Sequence, residues 1–118
     1  MADLREYVTQ KAEEGTLFIS EDVLASVAAL AVADVEGVGR LVTHDKPGRP
    51  ARPRGVKAHA EDGKVAIDVW LRIAYGHSIP TVAKKVQAAV TEAVDGMTGL
   101  RVSTVRLHVT GVEFPDDR

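Results

Sequence analysis

The sequence contains no cysteine and few aromatic residues. It has 118 residues, of which 4% are Phe, Trp or Tyr. Without cysteine the chain cannot form disulfides, iron–sulfur clusters or Cys-ligated zinc sites, and it has no thiol nucleophile. A chain of this length is typical of one domain, which buries enough apolar surface to fold without such staples.

A large net charge and a long hydrophobic run are also lacking. The formal net charge is −2 at pH 7, so we expect no general attraction to nucleic acid or anionic lipid. The longest apolar-rich run, "VLASVAALAVADV", is too short to span a bilayer, and the N-terminal residues do not resemble a secretory signal. The sequence therefore predicts a soluble chain that reaches a membrane only through a partner.

The spacing of apolar residues predicts a first helix preceded by an N-terminal arm. Residues 1–15 carry no strong period, and we expect a frayed helix or a flexible arm there. Ser20 is a good N-cap for the helix that follows, and Gly37 is expected to end that helix. The apolar stripe predicted for this helix consists of Val23, Val27, Ala31 and Val35, beside Leu24 and Ala28.

A long strand over 64–75 is the clearest predicted element, and the turn signal "EDG" joins it to a shorter strand before it. One face of the long strand would carry Val65, Ile67, Val69, Leu71, Ile73 and Tyr75. The other face would carry Lys64, Ala66, Asp68, Trp70, Arg72 and Ala74. Only the first face is fully apolar, so we expect helices to pack on it and solvent or a partner to meet the other.

A second helix and a last strand complete the predicted domain. The helix stripe would consist of Val82, Val86, Val90, Ala93, Val94 and Met97, and the core face of the strand of Val105, Leu107 and Val109. Together the elements predict a single α+β domain at 16–115, with an antiparallel or mixed sheet of about four strands and two main helices packed on one face. We expect an exposed Pro/Arg-rich loop at 43–54 and an acidic tail at 116–118.

The stretch "YGHSIP" at 75–80 places a histidine beside a serine, as a catalytic site would. Neighbouring side chains in a turn usually diverge, whereas a nucleophile and its base must lie within hydrogen-bond reach. A structural role explains the stretch better: Ser78 caps a helix, Pro80 suits its first turn, Ile79 enters the core and His77 faces solvent. The sequence therefore predicts no catalytic residue.

No metal or cofactor site is predicted either. His59 and His108 would approach each other if their strands were neighbours, but no third ligand and no ligand-type spacing accompany them. Surface positions are the expected role of the four histidines. No glycine-rich phosphate-binding motif is present, so no nucleotide cofactor is expected.

Two groups of residues are candidates for binding. Trp70 lies among charged residues, where a tryptophan is typical of an interface because its ring buries a large area; packing under the N-terminal arm is the alternative. The candidate partner surface consists of Trp70, Arg72, Arg106 and His108. The candidate basic loop, which would touch acidic lipid or RNA or simply be solvated, consists of Lys46, Arg49, Arg52 and Arg54.

Several stretches in combination resemble the alkaline shock protein family, the envelope-stress proteins of Gram-positive bacteria. They are "ISEDVLASVAALAVADVEGV" at 19–38, "YGHSIPTVA" at 75–83, "VDGMTGL" at 94–100 and "LHVTGVEF" at 107–114. The resemblance covers about residues 15 to 115, and the Pro/Arg-rich central loop is its main departure from the family pattern.

The resemblance implies a small α+β domain without a catalytic centre or cofactor, in an abundant cytoplasmic protein. It implies a non-enzymatic scaffold or adaptor in cell-envelope homeostasis and stress response, acting by self-association and protein contacts. A homo-oligomer is expected, and a small transmembrane protein is the expected membrane anchor, without direct insertion of this chain. Two alternatives stay open: a regulator linked to fatty-acid synthesis and acetyl-CoA carboxylase, and a nucleic-acid-binding module that uses the basic loop, which is the less expected.

Overall fold

The computed structural model describes residues 7–12, 15–41, 55–61 and 63–115. The elements in chain order are β1 Tyr7–Ala12, β2 Gly15–Ser20, α1 Glu21–Ala33, β3 Val38–Leu41, β4 Val56–Glu61, β5 Lys64–Ala74, α2 Ile79–Thr98 and β6 Val102–Glu113. A sheet of four strands carries both helices on one face. The predicted α+β architecture is therefore confirmed.

Strand β5 is the centre of the sheet, because the other three strands of that sheet all pair with it. β6 runs parallel to it along one edge, whereas β3 and β4 share the opposite edge and are antiparallel to it. The amide of Trp70 donates to the Gly55 carbonyl on the β4 edge at 2.7 Å, and the amide of Tyr75 donates to the Glu113 carbonyl on the β6 edge at 2.8 Å. The sheet is therefore mixed, and α2 is the crossover between its two parallel strands.

Strands β1 and β2 form a separate antiparallel hairpin, in which Tyr7 is opposite Ser20 and Ala12 is opposite Gly15. The expectation of a frayed helix or flexible arm is therefore wrong for residues 7–12. The stretch "YVTQKA" begins with three β-prone residues, and pairing with β2 provides its amides with partners that an isolated arm would lack. The predicted loop at 43–54 and tail at 116–118 lie outside the described residues, and the predicted domain boundaries stay predictions.

Helix α1 begins where predicted, because Ser20 Oγ accepts a hydrogen bond from the amide of Val23 at 3.1 Å. The predicted stripe is confirmed in part: Leu24 and Ala28 are buried and Val27 and Val35 pack against the core, but Val23 is 50% exposed. The buried residues are Leu24, Ala25, Ala28 and Val32. Two adjacent rows of this helix have apolar residues four apart, so periodicity alone did not distinguish the row that faces the sheet.

Gly37 does not end α1, as the sequence predicted, but lies in the turn directly before β3. The C-cap of the helix is Asp34. At Gly37, φ is +95°, and an added Cβ would lie 2.7 Å from Val82 Cγ2 and 2.9 Å from His77 Nδ1. This glycine therefore permits a left-handed backbone and a close approach to the turn that precedes α2.

Helix α2 begins at the predicted cap, because Ser78 Oγ accepts from the amide of Thr81 at 3.4 Å and Pro80 lies in the first turn. Its buried residues, at four-residue spacing, are Val82, Val86, Val90 and Val94. Ile79 and Met97 were predicted to face the core, but both are exposed, Met97 by 72%. They lie in the first and last turns, where the helix extends past the residues that would cover them.

The core lies between the helices and one face of β5. Its β5 residues are Val65, Ile67, Val69, Leu71 and Ile73, each no more than 2% exposed, which confirms the predicted apolar face. Tyr75 was predicted to continue this face, but it follows the end of the strand, is exposed and stacks on Phe114 with 5.1 Å between ring centroids. Val105 and Leu107 of β6 contribute as predicted, whereas Val109 is 38% exposed.

Candidate functional site

The surface of the sheet opposite the helices, called the open face here, carries most of the polar side chains of the strands. The register places one residue of each strand beside another, so that Asp68 of β5 lies between Lys57 of β4 and Arg106 of β6. The residues placed on the open face by this register include Lys57, His59, Lys64, Ala66, Asp68, Trp70, Arg72, Thr104, Arg106 and His108. In the described part of the chain both helices pack on the opposite side.

Asp68 is the centre of a hydrogen-bonded network on this face. Its side chain is only 12% exposed, yet its carboxylate has two cationic or dipolar neighbours. Arg106 donates from Nε to Oδ1 at 2.8 Å and from a terminal nitrogen to Oδ2 at 3.0 Å, a bidentate arrangement. His108 Nε2 lies 3.0 Å from Oδ1, and because an ionised carboxylate only accepts, this nitrogen carries the hydrogen.

The same contacts determine the charge state of Asp68. The hydrogen bonds from Arg106 hold the pKa of the Asp68 carboxyl well below its usual range, and His108 lowers it further. Burial acts in the opposite direction and raises the pKa, but it is the smaller effect in total. Asp68 is therefore a permanent negative charge at neutral pH, neutralised within the protein by Arg106.

Trp70 and His108 form a stacked pair next to this network. Their ring centroids are 4.6 Å apart and the ring planes differ by 10°. His108 is therefore held on two sides, by the indole against one face of its ring and by Asp68 at Nε2. The His108 and Arg106 side chains remain 43% and 46% exposed, so the network is fixed in position while still reaching solvent.

Arg72 lies on the same face but outside the network. Its terminal nitrogen donates to the Val112 carbonyl at 3.4 Å, which is longer than an ordinary hydrogen bond. The register of β5 and β6 shifts between Leu71 and Arg72, so that Arg72 is opposite Gly111 and its guanidinium lies beside that glycine. Of the four residues predicted as a partner surface, three therefore touch through one network, and Arg72 flanks them. Their binding role stays a prediction.

Asp68 is the member of the network that sequence reasoning did not single out. It was placed on the polar face of the long strand, but no role was given to it. A signal was present, because aspartate is disfavoured in strands and a carboxylate between buried residues needs charged or hydrogen-bonding partners. Arg106 and His108, two residues apart on another strand, are suited to provide them.

The predicted basic loop residues Lys46, Arg49, Arg52 and Arg54 lie outside the described residues, so the role predicted for them stays a prediction. The described residues on either side of that segment both lie at the same edge of β5. Leu41 pairs with Leu71, and Gly55 accepts the amide of Trp70. Leu41 and Gly55 therefore lie close to Trp70 along the chain of β5.

The stretch "YGHSIP" forms the predicted turn and helix start. Ser78 Oγ is engaged by the first turn of α2, and the exposed His77 lies against Gly37. Within the described ranges, no group of three or more acidic or histidine side chains is arranged to hold a metal ion. His59 and His108 lie on β4 and β6, with β5 between them. In the same ranges no helix is long and apolar enough to cross a membrane.

Comparisons with known proteins give a family and several relatives. Residues 9–114 match the model of the alkaline shock protein 23 family, described as having a cell envelope-related function. The uncharacterized protein YqhY of Bacillus subtilis is 30% identical over 106 residues, which cover 85% of this chain and 78% of that protein. The uncharacterized protein Spy1535 of Streptococcus pyogenes is 34% identical over 104 residues, covering 83% and 79%.

Among solved structures, the chain is similar to variants of the MamM CTD. One of them matches with a TM-score of 0.49 and 16% sequence identity, covering 77% of this chain and 95% of that one. Another matches with a TM-score of 0.48, covering 80% and 98%.

Proposed function

The chain belongs to the alkaline shock protein family, whose described function is related to the cell envelope, and on that premise we propose that it is a non-enzymatic scaffold or adaptor. In this proposal it acts in the cytoplasm by self-association and by contacts with other proteins. A small transmembrane protein holds it at the membrane, and the chain itself does not insert.

The observation that carries the proposal is the stacked pair of Trp70 and His108 on the open face. A tryptophan on a strand surface is typical of a protein contact, because the indole buries a large area and keeps a polar edge. The contacts of His108 with both Trp70 and Asp68 hold the pair in one arrangement before any partner arrives. Binding then orders few additional side chains, and less free energy is lost to ordering.

A second mode of association, pairing at the outer edge of β6, is less well supported. In the described residues β6 has a strand partner along one edge only. However, its register shifts twice, at the Val65/Ala66 and Leu71/Arg72 positions of its partner β5. Gln87 Nε2 also donates to the Val105 carbonyl at 3.2 Å. Register shifts and a carbonyl that already accepts a hydrogen bond both hinder the pairing of another strand with this edge. We therefore favour the open face as the contact surface.

Two other functions predicted from the sequence stay predictions. A link to fatty-acid synthesis through acetyl-CoA carboxylase came from the family resemblance alone. Nucleic-acid binding came from the basic loop, which lies outside the described residues.

The experiment compares a Trp70→Ala, Arg72→Ala variant with the unaltered protein. We expect the variant to self-associate at least tenfold more weakly in sedimentation velocity and to recover less of a small membrane protein from detergent-solubilised host membranes. Phe114→Ala is the matched control, because Phe114 is also an exposed aromatic side chain but stacks on Tyr75 beyond the end of β5. Unchanged self-association and partner recovery in the double variant would refute the role of the open face.

A further inference from the structure

We propose that the open face around Trp70 binds an acidic segment of a partner protein. A carboxylate of that segment contacts Arg72, and an apolar side chain beside it packs on the indole of Trp70. This inference rests on the proposed function and adds the chemistry of the partner to it.

The charges next to Trp70 are mostly positive. Lys57 and Arg72 are exposed, and the Arg106 side chain is 46% exposed. Among the described residues around Trp70, Asp68 is the one acidic residue in the middle of this face, and its carboxylate is buried and neutralised by Arg106. The sequence as a whole has a formal net charge of −2. A locally basic surface on an acidic chain favours an acidic partner, which the rest of the chain would otherwise repel.

Apart from Asp68, the acidic residues in the described strands of this sheet pair with the ends of β5. The register places Glu61 opposite Lys64 at its beginning and Glu113 beside Ala74 at its end. The middle of the face, where Trp70 lies, is therefore where a negatively charged segment meets the least repulsion.

The two arginines differ in how their charge is already balanced. Arg106 binds the carboxylate of Asp68 in a bidentate contact, so Arg72 is the arginine that provides the contact with an incoming carboxylate. Arg72 contacts a backbone carbonyl at 3.4 Å, so its positive charge is not balanced by an acidic partner through that bond. An incoming carboxylate therefore replaces a weak hydrogen bond with a charge-assisted one at Arg72.

The indole provides the apolar part of the surface. One face of Trp70 is covered by His108, and Asp68 keeps His108 in place. The part of the indole that His108 leaves uncovered lies on the same face as Arg72, so an apolar side chain flanked by acids matches this surface. A purely acidic segment would leave the indole exposed to water. A purely apolar segment would bury a guanidinium without a hydrogen-bonding partner, which costs free energy.

Nucleic acid and anionic bilayers match this surface less well. A polyanion that lies along a protein requires an extended series of cations, and stacking of successive bases requires several aromatic rings. Trp70 is the only tryptophan of the chain, and the formal net charge is negative. A short acidic peptide requires only the local surface, and we therefore favour it.

The test uses the fluorescence of Trp70, which needs no label because the chain has one tryptophan. The full chain is titrated with the peptide acetyl-EEELEEE-amide and with acetyl-QQQLQQQ-amide, in which uncharged glutamine replaces glutamate. We expect a saturable fluorescence change with the acidic peptide only, weakened about tenfold when the salt is raised from about 50 to 300 mM. Arg72→Glu should weaken the binding at least tenfold.

Lys84→Glu is the matched control, because it changes the net charge by the same amount on the exposed side of α2. It should weaken peptide binding less than threefold. A single-stranded oligonucleotide and vesicles with anionic phospholipid are titrated in parallel, and circular dichroism shows that each variant is folded. The proposal is overturned by equal affinity for both peptides, by equal losses in the Arg72→Glu and Lys84→Glu variants, or by tighter binding of the oligonucleotide or the vesicles.

The outcome is separable from that of the proposed function. If the acidic peptide fails to bind while the Trp70→Ala, Arg72→Ala variant still loses self-association and partner recovery, the open face is a contact surface for a partner of other chemistry. If the peptide binds as expected and the double variant associates normally, the acidic-segment site stands and the scaffold role of this face is refuted.

Discussion

Replacing Asp68 with asparagine removes the charge at the centre of the open-face network while keeping the shape of the side chain. Breaking a fully buried ion pair costs about 3–5 kcal/mol, whereas an exposed pair contributes less than about 1 kcal/mol. Asp68 is buried, but Arg106 is about half exposed and can be hydrated once its partner is lost. We therefore expect the free energy of unfolding to fall by about 2 kcal/mol, an intermediate value, and Tm to fall by about 8 °C for a domain of this size.

The pH dependence gives the same prediction a second readout. Hydrogen bonds from Arg106 lower the pKa of Asp68 in the folded state, whereas in the unfolded chain it is about 4. A lowered folded-state pKa stabilises the protein fully above the unfolded-state pKa, and this stabilisation is lost as the pH falls toward the folded-state pKa. The stability difference between wild type and Asp68→Asn should therefore be constant near pH 7 and shrink between about pH 4 and pH 2.

Urea denaturation followed by circular dichroism measures both effects. Glu92→Gln is the matched control, because it removes one carboxylate from the exposed side of α2 and should change the stability by less than about 0.5 kcal/mol. The reasoning is refuted if Asp68→Asn is as stable as Glu92→Gln, or if its loss of stability does not diminish on acidification.

Three further substitutions test the fold around the site. Ser78→Ala should lower the stability by about 1 kcal/mol through loss of the α2 cap, and urea denaturation that shows no loss would contradict the capping role. Gly37→Ala should lower Tm more than Gly63→Ala, because both glycines have positive φ but only at Gly37 does an added Cβ meet neighbouring atoms; equal Tm values would contradict the close approach. Val90→Ala should lower the free energy of unfolding by about 2 kcal/mol, and Met97→Ala should lower it by less than about 0.5 kcal/mol. A larger loss for Met97→Ala in urea denaturation would show that Met97 packs in the core.

The parts of the fold that the sequence predicted well are those with a fixed geometric period or a local chemical cause. Alternation along β5 follows from strand geometry, so its buried face could be predicted residue by residue up to Ile73. The caps at Ser20 and Ser78 depend only on a side-chain oxygen and an amide three residues ahead. The hairpin predicted at "EDG" likewise follows from local turn chemistry, and in the structure β4 pairs with β5 from Glu61 and Lys64 onward.

The parts that were missed depend on contacts between distant segments. Which row of α1 is buried is determined by how the helix lies on the sheet, and Val23 and Leu24 both satisfy the helical period. Residues 7–12 form a strand because they pair with β2. Tyr75 is exposed because the chain turns toward α2 at that point. These outcomes require the packed structure, since tertiary contacts override local preference.

The candidate site shows the same division. Trp70, Arg106 and His108 could be assigned to one face from alternation alone, and the structure places them in contact. The role of Asp68 was not predicted, because it depends on β6 lying next to β5 in one particular register. Parallel strands joined by a helix have no hairpin turn that would determine this register from the local sequence.

Site-specific photo-crosslinking in the native host tests most directly whether the open face is the contact surface. A photoreactive amino acid is placed at Lys57, on the open face next to Asp68, or at Lys84, on the exposed side of α2. We predict crosslinks from position 57 to a second copy of the chain or to a membrane protein, with at most weak crosslinks from position 84. Strong crosslinks from position 84 and none from position 57 would contradict the account and place the contact surface on the helical side of the domain.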